Sequence, residues 1–256
     1  MIRQVRPSQW MIVLFVGMFA LSGCKTTDMN MDGMMASAMT IGQAVSVSDA
    51  DLQANARLAI AHLDAENQIA GSKTKYGKRL NRLTAQLRTV DGHQLNYKVY
   101  INPEYNAFVT PDGSIRLYSG VFDGMSDDEI RFIIGHEIGH KSYAHSTAKQ
   151  KLGLITKGLR IAGASSGNQT LSALSESEIG EYIDLFVNQQ YSQSAEHQAD
   201  DYGFEFMKRN GYDPKSAVSA MRKIEARYGN QRSVFASHPA SGDRANRMEK
   251  QLRRNS

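Results

Sequence analysis

Apolar residues recur with helical spacing over most of the chain. After the N-cap residue Ser48 they return every three or four residues as far as Leu63, and a second amphipathic segment covers residues 74–88. Ser126-Asp127-Asp128-Glu129 has the sequence of a capping box. In this motif the serine hydroxyl accepts a hydrogen bond from the Glu129 backbone amide, and the Glu129 carboxylate accepts one from the serine backbone amide. The helix that it begins is expected to run beyond His140.

Strict alternation of apolar and polar residues is confined to the middle of the chain. Residues 95–101 alternate and predict a half-buried strand. Pro111-Asp112-Gly113 is a turn sequence that joins two more short strands, at residues 107–110 and 114–118. A small sheet is therefore expected between the helical halves of the chain.

The pattern after residue 151 is helical again. Helices are expected at residues 177–190, 194–210, 214–228 and 240–254. A break of small residues falls at 163–167, and the weakly apolar stretch 152–164 is interpreted as a lid or a surface hairpin. Together these elements predict an α+β fold that is mainly helical and carries a small β-sheet.

The N-terminus has the pattern of an export signal. Arg3 and Arg6 precede an apolar run at residues 10–20 that is too short to span a bilayer. The run ends in Leu21-Ser22-Gly23-Cys24, which resembles a bacterial lipobox, so residues 1–23 are predicted to be a lipoprotein signal peptide and Cys24 the lipidation site. Lys25 follows the cysteine in place of an aspartate, which in enterobacterial lipoproteins favours the outer membrane.

Residues 24–47 are rich in Met, Ser and Gly and are predicted to be a flexible tether from the lipid to a catalytic domain at residues 48–256. Each of these predictions has an alternative. Cys24, the only cysteine, could instead be a free thiol at the end of a cleaved or retained signal anchor. The methionines of the tether could bind a soft metal such as Cu(I).

Composition and charge exclude one class of partner. The chain has 256 residues, 41% apolar and 22% charged, enough for one well-buried core. Its formal net charge is +4, and removal of the signal takes away Arg3 and Arg6, which leaves +2. So small and scattered an excess gives no reason to expect nucleic acid binding.

The chemistry begins with His136-Glu137-Ile138-Gly139-His140. The two imidazoles lie about 40° apart around a helix, so both can bind one metal ion. Glu137 projects beside them and can take a proton from the hydrolytic water. The alternatives are an exposed helix with incidental histidines and a purely structural zinc site, although structural sites usually contain cysteine.

Catalytic zinc needs three protein ligands and one open position, so a third ligand must come from elsewhere. Glu196 is the predicted ligand, and Asp200 lies one helical turn later on the same face. Its carboxylate can accept a hydrogen bond from the far nitrogen of His136 and fix that ring. The alternative is a solvated acidic helix face. His145 would lie about 140° around the helix from His140 and is expected to be structural.

Several motifs together resemble one family, the HtpX, Oma and BepA-like zinc metallopeptidases, and above all its outer-membrane lipoprotein members. The matching residues are His136-Glu137-Ile138-Gly139-His140, Glu196-x-x-Ala199-Asp200, Asn106-Ala107-Phe108, Gly113-x-Ile115 and His238-Pro239. The resemblance covers residues 48–250. It implies a zincin-like (gluzincin) domain that binds one zinc ion and cleaves proteins or peptides in envelope protein quality control, on the periplasmic side of the outer membrane.

The resemblance also implies roles for further residues. Asn106, Ala107 and Phe108 would form an edge strand that binds substrate backbone by strand addition. His238 would act in catalysis by stabilising the tetrahedral intermediate, or would occupy the fourth metal position in a latent state, whereas from sequence alone a lone histidine before proline is more often structural. Arg244 would support the site by contacting a carboxylate or an oxyanion, and the alternative is an exposed helix arginine. Outer-membrane proteins are the expected partners, and a latent, chaperone-like binding lipoprotein is the alternative function.

Overall fold

A computed structural model describes residues 47–164, 176–188, 190–229, 238 and 241–254. The predicted signal peptide, the lipidation site at Cys24 and the tether up to residue 46 lie outside these ranges. So does the part of the small-residue break from residue 165 onward.

The described residues form a mainly helical domain with two small sheets. The helices are α1 (Asp49–Glu66), α2 (Lys75–Thr84), α3 (Ser119–Gly124), α4 (Asp127–Ser142), α5 (His145–Ala164), α6 (Glu176–Val187), α7 (Gln193–Arg209), α8 (Lys215–Tyr228) and α9 (Ser241–Arg254). The strands are β1 (Thr89–Val90), β2 (His93–Gln94), β3 (Asn96–Tyr100), β4 (Ala107–Val109) and β5 (Ser114–Tyr118).

Side-chain caps fix where the main helices begin. Ser48, Thr74, Ser126 and Ser192 each accept a hydrogen bond from the backbone amide three residues later. The predicted capping box at Ser126 is confirmed, because the Glu129 carboxylate accepts from the Ser126 amide as well. The stretch 152–164, expected as a lid or hairpin, belongs to the continuous helix α5.

The helix α4 stops soon after its second motif histidine. Tyr143 is its C-cap, and Ala144 has a left-handed backbone with φ of 55°. Such a residue ends a helix and redirects the chain, so α5 begins at His145 in a new direction.

Three strands form the main sheet in the order β3-β5-β4. β3 runs parallel to the central strand β5, with Tyr97 beside Ile115, while β4 runs antiparallel to it, with Phe108 beside Arg116. β1 and β2 form a separate hairpin that the pattern did not predict, because strands of two residues are too short to show alternation.

The sheet separates two apolar clusters. The larger lies between the sheet and helices α2, α4, α7, α8 and α9, and the smaller packs α1, α5 and α6 against Tyr100, Phe108 and Tyr118. The predicted α+β class is thereby confirmed. Among the described residues, none of the helices combines the length and the apolar character required to cross a bilayer.

Helices α4 and α7 approach each other closely, because glycine stands at their contact. A methyl group on Gly139 would lie 2.9 Å from Cβ of Tyr202 and 3.1 Å from Cα of Ala199. A methyl group on Gly203 would lie 3.1 Å from the His136 amide nitrogen. This approach places the first two turns of α7 directly opposite the histidines of α4.

Candidate metal centre

Four buried side chains converge on one point. They are His136 and His140 of α4, Glu196 of α7 and His238, and one donor atom of each lies within 4.8 Å of the others. The Nε2 atoms of His136 and His140 are 3.1 Å apart, and Oε1 of Glu196 lies 3.4 Å from Nε2 of His140. Nδ1 of His238 lies 3.2 Å from His136 Nε2 and 2.8 Å from Glu196 Oε1.

The chemistry of this donor set fits a zinc ion, which prefers imidazole nitrogen and carboxylate oxygen in groups of three or four. Burial lowers the pKa of His140 to about 3, so its ring is neutral and its lone pair can bind a metal. A cation between these atoms would also compensate the buried negative charge of Glu196.

A second set of buried contacts holds the ligands from behind. Oδ1 of Asp200 lies 3.0 Å from Nδ1 of His136, the nitrogen that faces away from the donor cluster. The Arg244 guanidinium donates from Nε and Nη2 to both oxygens of Asp200, at 2.8 and 2.5 Å, and its Nη1 lies 2.6 Å from Oε2 of Glu196. Of the two contacts expected for Arg244, the structure therefore contains the one with carboxylates.

The charges in this arrangement support one another. Burial raises the pKa of Glu196 and of Asp200, but the positive charge of Arg244 and the contacts with histidines outweigh burial and lower both values, that of Glu196 strongly. Burial opposes the positive charge of Arg244, yet the two carboxylates raise its pKa. All three groups are therefore ionised at neutral pH.

His238 lies between the two glutamates of the site. Its Nε2 is 3.3 Å from Oε1 of Glu137, and its Nδ1 contacts Glu196. Burial lowers the pKa of His238, but the two carboxylates outweigh burial and raise it to about 9. The ring is close enough to serve as a fourth donor and also adjoins the Glu137 carboxylate, so both expected roles remain compatible with its position.

His145 lies outside the donor cluster, but it contacts one of the cluster histidines from behind, which the helical spacing did not predict. The spacing described an uninterrupted helix, and the left-handed residue Ala144 breaks the helix before His145. Nδ1 of His145 lies 3.0 Å from Nδ1 of His140, and its Nε2 lies 3.0 Å from Oε1 of Gln198. No local periodicity signals this contact, because it depends on one backbone angle.

Tyr191 is a second contact that the pattern did not predict. Its ring stacks on His140 with centroids 3.9 Å apart and planes 21° apart, and Lys149 Nζ lies over the Tyr191 ring, 4.1 Å from its centroid. Burial lowers the pKa of Lys149 to about 8 against the opposing effect of Glu196 and Glu137. The only sequence signal was an aromatic residue immediately before the N-cap Ser192.

The predicted substrate strand lies beside this centre. β4 packs against α4 and forms one edge of the main sheet. The carbonyl oxygen of Asn106 accepts from the Tyr118 amide at 2.9 Å, so this backbone group faces β5. Ala107 and Phe108 are buried, on opposite faces of the sheet.

An H-E-x-x-H helix packed beneath a small sheet, with a glutamate from a second helix completing the donor set, defines a zincin-type metallopeptidase. The model of "Peptidase family M48" matches residues 74–252 of the chain. This chain therefore belongs to peptidase family M48.

Named relatives agree with this assignment. The chain is 35% identical over 234 residues to "Metalloprotease LoiP" of Escherichia coli, which covers 91% of this chain and 92% of the relative. It is 35% identical over 238 residues to "Metalloprotease YcaL" of the same organism, with the same two coverages. It is 24% identical to the "Beta-barrel assembly-enhancing protease" of Yersinia pestis over 176 residues, 64% of this chain and 35% of that relative.

The predicted family resemblance, the metalloendopeptidase activity and the zinc cofactor are thus confirmed.

Proposed function

We propose that Glu137 activates the water that hydrolyses the peptide bond, with His136, His140 and Glu196 as the zinc ligands. The observation that carries this proposal is the state of the Glu137 carboxylate. It is fully buried next to the donor cluster, and its Oε2 has no hydrogen-bond partner among the residues that the structure describes. A buried carboxylate oxygen without a partner is poised to accept a proton from a water molecule.

The charge state of Glu137 suits a general base. Burial raises the pKa of Glu137, but His238 and the two motif histidines outweigh burial and lower it, so the group is deprotonated at neutral pH. Zinc, when bound, polarises the scissile carbonyl and lowers the pKa of the attacking water. Glu137 accepts the proton from this water and passes it to the leaving amine, while Asp200 holds the His136 ring in place.

The substrate is proposed to be an extended, unfolded polypeptide that adds to β4. Amides and carbonyls alternate in direction along a strand, and those of Asn106 and Thr110 face β5. The backbone amides and carbonyls at the free edge of β4 therefore belong to Ala107 and Val109. The side chain of Phe108 packs on the sheet face opposite to the side chains of these two residues. No strand in the described part of the chain pairs with this outer edge. Strand addition reads main chain more than side chain, which suits unfolded proteins of varied sequence.

The site of action is proposed to be the periplasmic face of the outer membrane. The signal at residues 1–23, the lipobox that ends at Cys24 and the tether at residues 24–47 support a lipid-anchored catalytic domain at residues 48–256. The name of the Yersinia relative refers to β-barrel assembly, which supports misassembled outer-membrane proteins as partners and substrates.

Substitution of Glu137→Gln tests the base directly. We expect the variant to bind one zinc per chain, as measured by metal analysis, and to cleave unfolded casein about 10²- to 10⁴-fold more slowly than the wild type. The matched control is Glu205→Gln, a half-exposed glutamate on α7 whose partner is Lys208, and it should retain full activity. Wild-type turnover of casein by the zinc-loaded Glu137→Gln variant would overturn the proposal.

A second candidate function is that of a latent lipoprotein that holds zinc and binds unfolded chains with little proteolysis. The position of His238 Nδ1 favours this latent function, because the atom completes a set of four donors and would take the position that the hydrolytic water needs. His238→Ala should raise casein hydrolysis if the histidine closes the site, and should lower it if the histidine stabilises the tetrahedral intermediate. Absence of hydrolysis by both wild type and variant would support the binding function.

A further inference from the structure

The two histidines of the motif have different partners on the nitrogen that faces away from the donor cluster. Nδ1 of His136 meets a carboxylate, that of Asp200, at 3.0 Å. Nδ1 of His140 meets a second imidazole, that of His145, at 3.0 Å. The far nitrogen of His145 in turn lies 3.0 Å from Oε1 of Gln198. His145 and Gln198 thus form a neutral hydrogen-bond relay behind His140, whereas the carboxylate behind His136 is an anion.

Donors and acceptors along this relay follow from its last member. The amide oxygen of Gln198 only accepts, so Nε2 of His145 carries a proton and donates to it. Nδ1 of His145 is then an acceptor, and Nδ1 of His140 must carry the proton that it receives. His140 is thereby left with a lone pair on Nε2, the atom that faces the donor cluster.

The backbone gives this relay fixed ends. His145 is the first residue of α5 and is brought under His140 by the left-handed Ala144. Gln198 lies on α7, two residues after Glu196, so the relay connects the chain that follows α4 to the helix that carries the carboxylate ligand. Tyr191 stacks on the face of the His140 ring and limits its tilt.

We propose that His145 and Gln198 are positioning residues that hold the tautomer and the ring orientation of His140 for zinc binding. The inference rests on the proposed ligand role of His140. Partners of this kind are worth about 10- to 100-fold in metal affinity in other zinc sites. His145 carries the larger share, because it contacts the ligand directly, and Gln198 acts through it.

The test is the zinc dissociation constant of full-length variants, measured by competition with a chromophoric chelator. All variants are made in the Glu137→Gln background, so that hydrolysis plays no part in the readout. His145→Leu removes the acceptor and should weaken zinc binding about 10- to 100-fold. His145→Asn places an amide oxygen near the position of Nδ1 and should restore the dissociation constant to within about threefold. The control His62→Leu, on the exposed face of α1, should leave it unchanged.

Two results would overturn the inference. One is a His145→Leu variant that binds zinc as tightly as its parent. The other is a His145→Asn variant as weak as His145→Leu, which would show that ring packing rather than the hydrogen bond matters. Circular dichroism and urea unfolding of the zinc-free variants separate either result from loss of the fold. Failure of the proposed general-base role is distinct, since it would appear as hydrolysis by Glu137→Gln and not as a change in zinc affinity.

Discussion

Removal of the positive charge behind the metal centre should destabilise the zinc-free protein strongly. Arg244 is 3% exposed, and its carboxylate partners Asp200 and Glu196 are 0% and 1% exposed. Arg244→Met keeps the length of the side chain but leaves two buried negative charges without their main partner. Breaking a buried ion pair from one side costs about 3–5 kcal/mol, so we expect the free energy of unfolding to fall by about that amount.

Urea unfolding followed by circular dichroism measures this loss on protein treated with a chelator. The matched control is Arg222→Met, because Arg222 pairs with Glu225 and Glu249 at the surface and is 38% exposed. Exposed pairs contribute little, so the control should lose less than about 1 kcal/mol. Equal, small losses in both variants would refute the reasoning, since they would mean that the buried carboxylates do not depend on Arg244.

Two further predictions are checked by zinc titration and by urea unfolding, respectively. Gly139→Ala places a methyl group 2.9 Å from Cβ of Tyr202 and should weaken zinc binding at least several-fold by separating α4 from α7, whereas an unchanged dissociation constant would contradict the close approach. Burial raises the pKa of Asp64, but hydrogen bonds from Arg116, Lys98 and Tyr100 outweigh burial and lower it below its ordinary 3.8. Its contribution to stability is thus present above about pH 4 and is lost as the pH falls through the folded pKa, so the stability difference between wild type and Asp64→Asn should shrink on acidification of the zinc-free protein.

The sequence was most informative where structure is local. A capping box and the spacing of two histidines lie within one helix, so the position of α4 and the convergence of its imidazoles needed no tertiary information. The three strands of the main sheet followed from alternation and one turn. Glu196 was identified through the coordination chemistry of zinc and its spacing from Asp200, not through any local pattern around the histidines.

The contacts that escaped prediction are those made across the chain. His145 reaches His140 only because Ala144 adopts a left-handed backbone, an angle that no apolar periodicity encodes. Tyr191 stacks on the ligand after the chain has passed through α5 and α6. For Arg244 the sequence left open a contact with a carboxylate, a contact with an oxyanion and an exposed position, and only the packing of α9 against α7 distinguishes them.

The distribution of the proposed zinc ligands over two helices determines when during folding the site can form. Glu196 follows His140 by 56 residues, and only the glycine-lined crossing of α4 and α7 brings the carboxylate to the imidazoles. In an unfolded chain this carboxylate is not held beside the imidazoles, so the set of three protein ligands that catalytic zinc needs is incomplete. We therefore expect hydrolytic activity to appear only once the tertiary structure is complete.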